Sequence, residues 1–315
     1  MNIRFVISSA ALAGALVLSQ GALAQRPQGA PPREAPKSAQ ESAPIDLTGY
    51  WVSVVTEDWR WRMLTPPHGD YASVPLNAAG KKLADEFDPA LYGGANFETS
   101  QIIDCRAYGA AGLMRMPIRV HVTWADPNTL KIESDWGQQT REIHFLPGRP
   151  TGVNMMGDDT NMPPPGAGGG QGGGQGGQAG AQQNRPAPSP QGTSIAIWQV
   201  PYEINSNEGA RGVQRRGGFG GPAQAPLPGG DLRVVTFNMT PGWLRRNGVP
   251  YGARTRMVEY YQTFTDPTGK KWFDVTTDVE DPEYLNAPFI TSDDFRSEPD
   301  ASNWQPHPCK QVAQD

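Results

Sequence analysis

Residues 118–145, IRVHVTWADPNTLKIESDWGQQTREIHF, decide the fold. Ile118, Val120, Val122 and Trp124 alternate with Arg119, His121 and Thr123, the period-two signature of a half-buried strand. Asp126-Pro127-Asn128 is turn chemistry, and the alternation resumes over 130–136. Trp136-Gly137 offers a tight reversal into a third strand over 140–145. Matching the apolar faces sets Val122 opposite Ile132, which puts His121 opposite Glu133, Arg119 opposite Asp135 and Thr123 opposite Lys131. Carried through the second turn, the same register sets Lys131 against Glu142 and His144 beside Thr129.

Working outward, strand patterns recur at 49–58, 194–204, 232–239, 256–264 and 271–279, with Asp266-Pro267-Thr268-Gly269 turning between the last two. Eight segments in meander order predict an all-β protein, an antiparallel up-and-down barrel, because closure removes exposed strand edges. Asn77 is a helix N-cap ahead of Ala79, Leu83 and Phe87 at i, i+4 and i+8, and a second short helix is expected over 106–114. Both fall between strands one and two and are placed over a barrel mouth.

Residues 1–24 read as a secretory signal peptide. Arg4 precedes an apolar run over 5–18, and Ala22-Leu23-Ala24 is a cleavage site before Gln25. The protein is therefore expected in the periplasm or secreted, with no membrane span in the mature chain. The formal charge of −5 becomes −6 when Arg4 leaves, so nothing electrostatic favours nucleic acid as a partner. In an oxidising compartment Cys105 and Cys309 are expected to pair, closing a long loop worth roughly 4–5 kcal/mol in the chain-entropy treatment.

Only 37% of residues are hydrophobic, while Gly (37) and Pro (31) are abundant, so the body is diluted by polar segments. Residues 25–44 are expected to be a disordered lead-in, and 163–192 and 207–230 flexible loop insertions. Setting these aside leaves about 217 mature residues, which fits a single β-barrel domain over 45–315.

Asp46-Leu47-Thr48-Gly49-Tyr50-Trp51 resembles the opening strand of the lipocalin-like (calycin) family, with its G-x-W signature. The resemblance implies an eight-stranded barrel in which Gly49 permits a tight backbone approach and Trp51 plugs one end. Residues 50–63, 65–71 and 288–292 also resemble a set of uncharacterised exported bacterial proteins, a likeness that implies no activity.

Trp51, Trp59 and Trp61 share parity if one strand continues through them, with Arg60 and Arg62 on the other. The tryptophans then line a cavity for an apolar ligand, with Met114 and Met116 nearby and Arg62 fixing a carboxylate or phosphate; the plainer alternative is core packing. His121 with Glu133 is the best acid–base pair if its face lines the cavity, and an ordinary cross-strand pair if it faces water. His68, in Thr65-Pro66-Pro67-His68-Gly69-Asp70-Tyr71, is a third candidate on a rigid loop; His307, between two prolines, reads as structural.

Zinc is not expected from four scattered His and two paired Cys, and Asp278, Glu280, Asp281 and Glu283 lack EF-hand spacing. Gly168-x-Gly170-x-x-Gly173 lies in a glycine tract without strand or helix, and no G-x-S-x-G exists, so no cofactor is implied. The expected function is an exported module holding a small apolar or amphipathic molecule in a barrel cavity. The alternatives are a cofactor-free hydratase, isomerase or lyase on that scaffold, and a structural or interaction protein of the envelope.

Overall fold

The computed structural model describes residues 37–56, 58–88, 105–146, 186–199 and 229–309. The expected leader and most of the two expected insertions lie outside the described residues. The strands run β1 (Gly49–Val54), β2 (Arg119–Asp126), β3 (Thr129–Ser134), β4 (Trp136–Gly137), β5 (Thr140–Phe145) and β6 (Thr193–Gln199). They continue with β7 (Asp231–Phe237), β8 (Gly242–Arg245), β9 (Val249–Tyr251), β10 (Arg256–Thr265), β11 (Lys271–Glu280), β12 (Phe289–Glu298) and β13 (His307–Pro308). Short helices α1 (Trp59–Arg62), α2 (Ala78–Asp85) and α3 (Ala110–Leu113) all lie between β1 and β2, where the second and third were expected.

Nine strands close a barrel in the order β1-β12-β11-β10-β7-β6-β5-β3-β2. The all-β barrel stands, with nine strands in place of about eight. A ring of nine cannot alternate throughout, so one neighbouring pair must be parallel. That pair is β5 with β6, where Ile143 faces Ser194 and Phe145 faces Ala196. The long connection between these strands lets the chain return to the end from which β5 began, as a parallel neighbour requires.

The register read from the sequence holds: His121 faces Glu133, Val122 faces Ile132 and Thr123 faces Lys131, while Lys131 faces Glu142 and Thr129 faces His144. Trp136-Gly137 differs. It forms a two-residue strand that pairs with β13, and the Cys105–Cys309 disulfide lies one residue beyond.

Four further corrections follow from packing. Strand β1 ends at Val54, because the backbone turns so that Asp58 O accepts Trp61 N and Arg62 N in α1. The expected strand parity of Trp59 and Trp61 is therefore lost. Strand β12, unmarked by any apolar alternation, closes the barrel between β1 and β11. The end of the expected disordered lead-in is docked: Trp198 Nε1 donates to Ala39 O, and Ala39 N to Asn128 Oδ1. In α2 Asn77 caps Gly80 N as expected, but the helix buries Gly80 and Ala84 while Leu83 is exposed.

Inside the barrel, Trp51, Trp198, Phe273 and Phe295 join Val120, Val122, Ile132, Ile143, Leu232 and Val234 in one apolar core. Inward positions nearer the other mouth are polar and fully buried: Arg141, Ser194, Thr236, Glu259 and Asp293. That mouth is capped by α1, α3 and the β8–β9 hairpin. A second apolar cluster joins Ala110, Ala111, Leu244 and Tyr251 of the cap to Met257, Val279 and Phe289 of the barrel.

Candidate functional site

The rim opposite this cap is built by a rigid turn. Asp266 Oδ1 accepts the backbone N–H of Thr268 and Lys270 and the Thr268 hydroxyl, and Asp266 Oδ2 accepts the Trp272 indole N–H at 2.9 Å. The Thr268 hydroxyl and then the Trp272 indole hold the Asp266 carboxyl down to about 2. With its indole anchored, Trp272 stacks on Phe264 across the β10–β11 hairpin, 5.9 Å between ring centres and 13° between planes.

Facing this hairpin, Pro44, Ile45 and Asp46 lead into β1, and Asp46 Oδ1 accepts both the backbone N–H and the hydroxyl of Thr48. Gly49, at φ 123°, takes a backbone conformation that side-chain-bearing residues rarely adopt. Trp51 then turns inward, donates its indole N–H to Leu47 O at 2.9 Å and packs edge-on against Phe273. Between the hairpin, the lead-in and Gly229-Gly230 lies a cleft of about 340 Å³, with Trp51, Phe264, Trp272 and Lys271 among its walls. Its volume falls at the lower end of the range of small-molecule pockets.

No family model, curated protein or solved structure matches this chain.

Of the tryptophans expected to act together, only Trp51 lines this cleft. Trp59 lies on α1 at the capped end, 55% exposed, and Trp61 packs beside Arg245. Arg62 is buried at that mouth, donating to Val54 O and Arg115 O. Met114 and Met116 are buried in the apolar core.

His121 Nδ1 lies 3.5 Å from Glu133 Oε2, and Lys131 Nζ shares that oxygen at 3.0 Å. Both His121 and Glu133 occupy outward positions, opposite in parity to core residues Val122 and Ile132. Tyr50 stacks on His121 at 4.0 Å from the neighbouring strand. His68 is exposed and reaches Asp85 O with Nε2. The three acid–base candidates therefore do not meet inside the barrel, because strand parity and an external loop carry them outward. His307 stacks on Trp136 at 4.1 Å, in the short β4–β13 pair.

The acidic run has structural work. Asp281 accepts the backbone N–H of Gly252, Glu283 and Tyr284, and Glu283 pairs with Arg254.

Phe264 and Trp272 were not singled out by sequence. Their signal was present, as two aromatics on outward parity flanking the Asp266–Gly269 turn, where strands ordinarily place polar residues.

Proposed function

We propose that this protein binds a small apolar or amphipathic molecule at the barrel rim opposite the cap. The observation that carries the reading is the cleft of about 340 Å³ floored by Trp51 and walled by Phe264 and Trp272. Aromatic residues around the cleft suit a hydrocarbon or ring, and Lys271, which also lines it, suits an acidic head group. The likeness of the G-x-W opening to lipocalin-like proteins, and a barrel whose end carries the pocket, support the same use. Export to the periplasm or beyond belongs to this proposal, supported by the leader-like start and by the cystine.

The test is fluorescence titration of the purified chain with a neutral probe, phenylnaphthylamine, followed by dodecanoate. Trp272→Ala and Phe264→Ser are expected to weaken both ligands about tenfold or more, the loss of one well-packed aromatic contact. Lys271→Ala is expected to weaken dodecanoate alone, and Trp59→Ala neither. Equal affinity of the folded Trp272→Ala and Phe264→Ser variants for the probe would remove the cleft from consideration.

A further inference from the structure

The two polar groups inside the barrel have opposite charge balance. Arg141 is matched one to one by Glu259, and its remaining donors reach Ser194 Oγ and Thr236 Oγ1. At the capped mouth lie three buried arginines, Arg62, Arg115 and Arg245, and one fully buried carboxylate, Asp293, which Arg62 and Arg115 approach. Arg62 Nε and Arg115 Nη1 lie 3.2 and 3.8 Å from the same Asp293 Oδ1. Arg115 and Arg245 hold their guanidinium carbons 5.5 and 5.7 Å from the centre of the Phe289 ring. Asp58, the other carboxylate in contact, reaches Arg115 Nη2 at 3.3 Å but is half exposed and screened by water. Asp70, 13% exposed and paired with the exposed Arg60, also acts on Arg245, so among the described residues the three guanidiniums share one fully buried carboxylate and two partly exposed ones.

Hydrogen bonding tells the same story. Arg62 Nη2, Arg115 Nη1 and Arg245 Nε are buried and find no hydrogen-bond acceptor among the described residues, and Asp293 Oδ1 beside them is buried without a hydrogen bond of its own. One such donor costs about 1–3 kcal/mol, more when it belongs to a charged group. Burial, and then the neighbouring Arg115, pull the Arg245 guanidinium down to about 10, the response of a cation crowded by another. Each arginine is also tethered through other atoms, Arg62 to Val54 O and Arg245 to Ala72 O, so the cluster is preorganised.

We propose that the capped mouth is a binding site for a tetrahedral dianion, a phosphate or sulfate group, held by Arg62, Arg115 and Arg245. Such a group brings negative charge to three buried guanidiniums that share one fully buried carboxylate, and its four oxygens offer acceptors to the three donors. The site is at the opposite end of the barrel from the aromatic cleft and stands independently of it. No covalent chemistry is implied.

The experiment titrates inorganic phosphate, then sulfate, then acetate, into the full chain at constant ionic strength. It follows the arginine Nε–H resonances of Arg62, Arg115 and Arg245 and the melting temperature. The three resonances are expected to move together and saturate with phosphate and sulfate, with a parallel rise in Tm. Arg245→Met keeps both ion pairs of Asp293 and is expected to weaken phosphate by about 10- to 100-fold, the loss of one charged hydrogen bond.

Absence of any saturable shift up to about 10 mM phosphate or sulfate overturns the site. So does unchanged phosphate affinity in a folded Arg245→Met chain, and an equal response to acetate overturns the dianion assignment. The resonance titration needs no variant, so the proposal remains decidable should Arg245→Met fail to fold.

Discussion

Arg141 and Glu259 face each other across the inside of the barrel, from β5 and β10, as a two-pronged ion pair sealed from water. Tyr261 donates its hydroxyl to Glu259 Oε1 at 3.0 Å, so the carboxylate is bound from a third direction. Burial pulls the Arg141 guanidinium down, but Glu259 and Tyr261 outweigh it and carry the group above its ordinary value. The pair ties strands that are not neighbours in the sheet, and so acts on closure of the barrel as well as on its core.

Removing one partner strands the other charge in a dry interior. Glu259→Gln is therefore expected to cost about 3–5 kcal/mol of folding stability, measured by urea denaturation. The double change Arg141→Met with Glu259→Gln removes both charges and is expected to be clearly milder than the sum of the two single changes. Strict additivity in that cycle would show that the pair is not coupled.

The cystine makes a second, separable contribution. Cys105 precedes α3 of the cap and Cys309 follows β13, which pairs with β4 through His307 and Trp136. With a sequence separation of 204, Cys309→Ser is expected to cost up to about 5 kcal/mol through the unfolded chain. It is also expected to expose the chain beyond Glu298 to proteolysis first. Unchanged urea midpoint and cleavage pattern on reduction would contradict both.

The parts of the fold legible in the sequence are those whose apolar residues mark one face. The pairing register of β2, β3 and β5 is readable because Val122, Ile132 and Ile143 all point inward while charged residues fill the outer rows. Strand β12 was not, because its inward row runs Phe289, Thr291, Asp293, Phe295 and the carboxylate breaks the alternation. Asp293 is tolerated there only because Arg62 and Arg115 arrive from distant segments, which local periodicity cannot register.

The candidate sites divide in the same way. Trp51 was legible from Gly49-x-Trp51, whereas the shared parity of Trp59 and Trp61 assumed a strand that α1 replaces. The cleft depends on Phe264 and Trp272 meeting the Pro44–Asp46 segment, a tertiary contact with no local pattern.

The outward placement of His121 and Glu133 leads to a modest expectation. With half-exposed partners in a solvated row, His121→Ala and Glu133→Gln should each change stability by less than about 1 kcal/mol. The Tyr50–His121 stack sets the larger part of the His121 effect. Urea denaturation checks this, and a loss several times greater for either variant would mean that this face is covered in the folded protein.

Asp135 carries a pH dependence whose sign can be worked out. Its Oδ1 accepts the backbone N–H of Arg119 at 2.8 Å and of Trp136 at 2.7 Å. Its Oδ2 is buried without a hydrogen bond, and the Arg119 guanidinium approaches no nearer than 3.9 Å. Burial outweighs the two backbone bonds and raises the carboxyl above its ordinary 3.8. A folded value above the unfolded one means that the stability Asp135 contributes is full below 3.8 and is lost as pH rises through the folded value. Asparagine keeps the Oδ1 acceptor and cannot ionise. Asp135→Asn should therefore remove the gain that the native chain makes, relative to the variant, as pH falls from neutrality into that window. Urea denaturation of both chains across the window, at fixed salt, measures the difference. Curves that stay parallel would show that Asp135 ionises in the folded protein as it does in the unfolded chain, and that Arg119 fully compensates its burial.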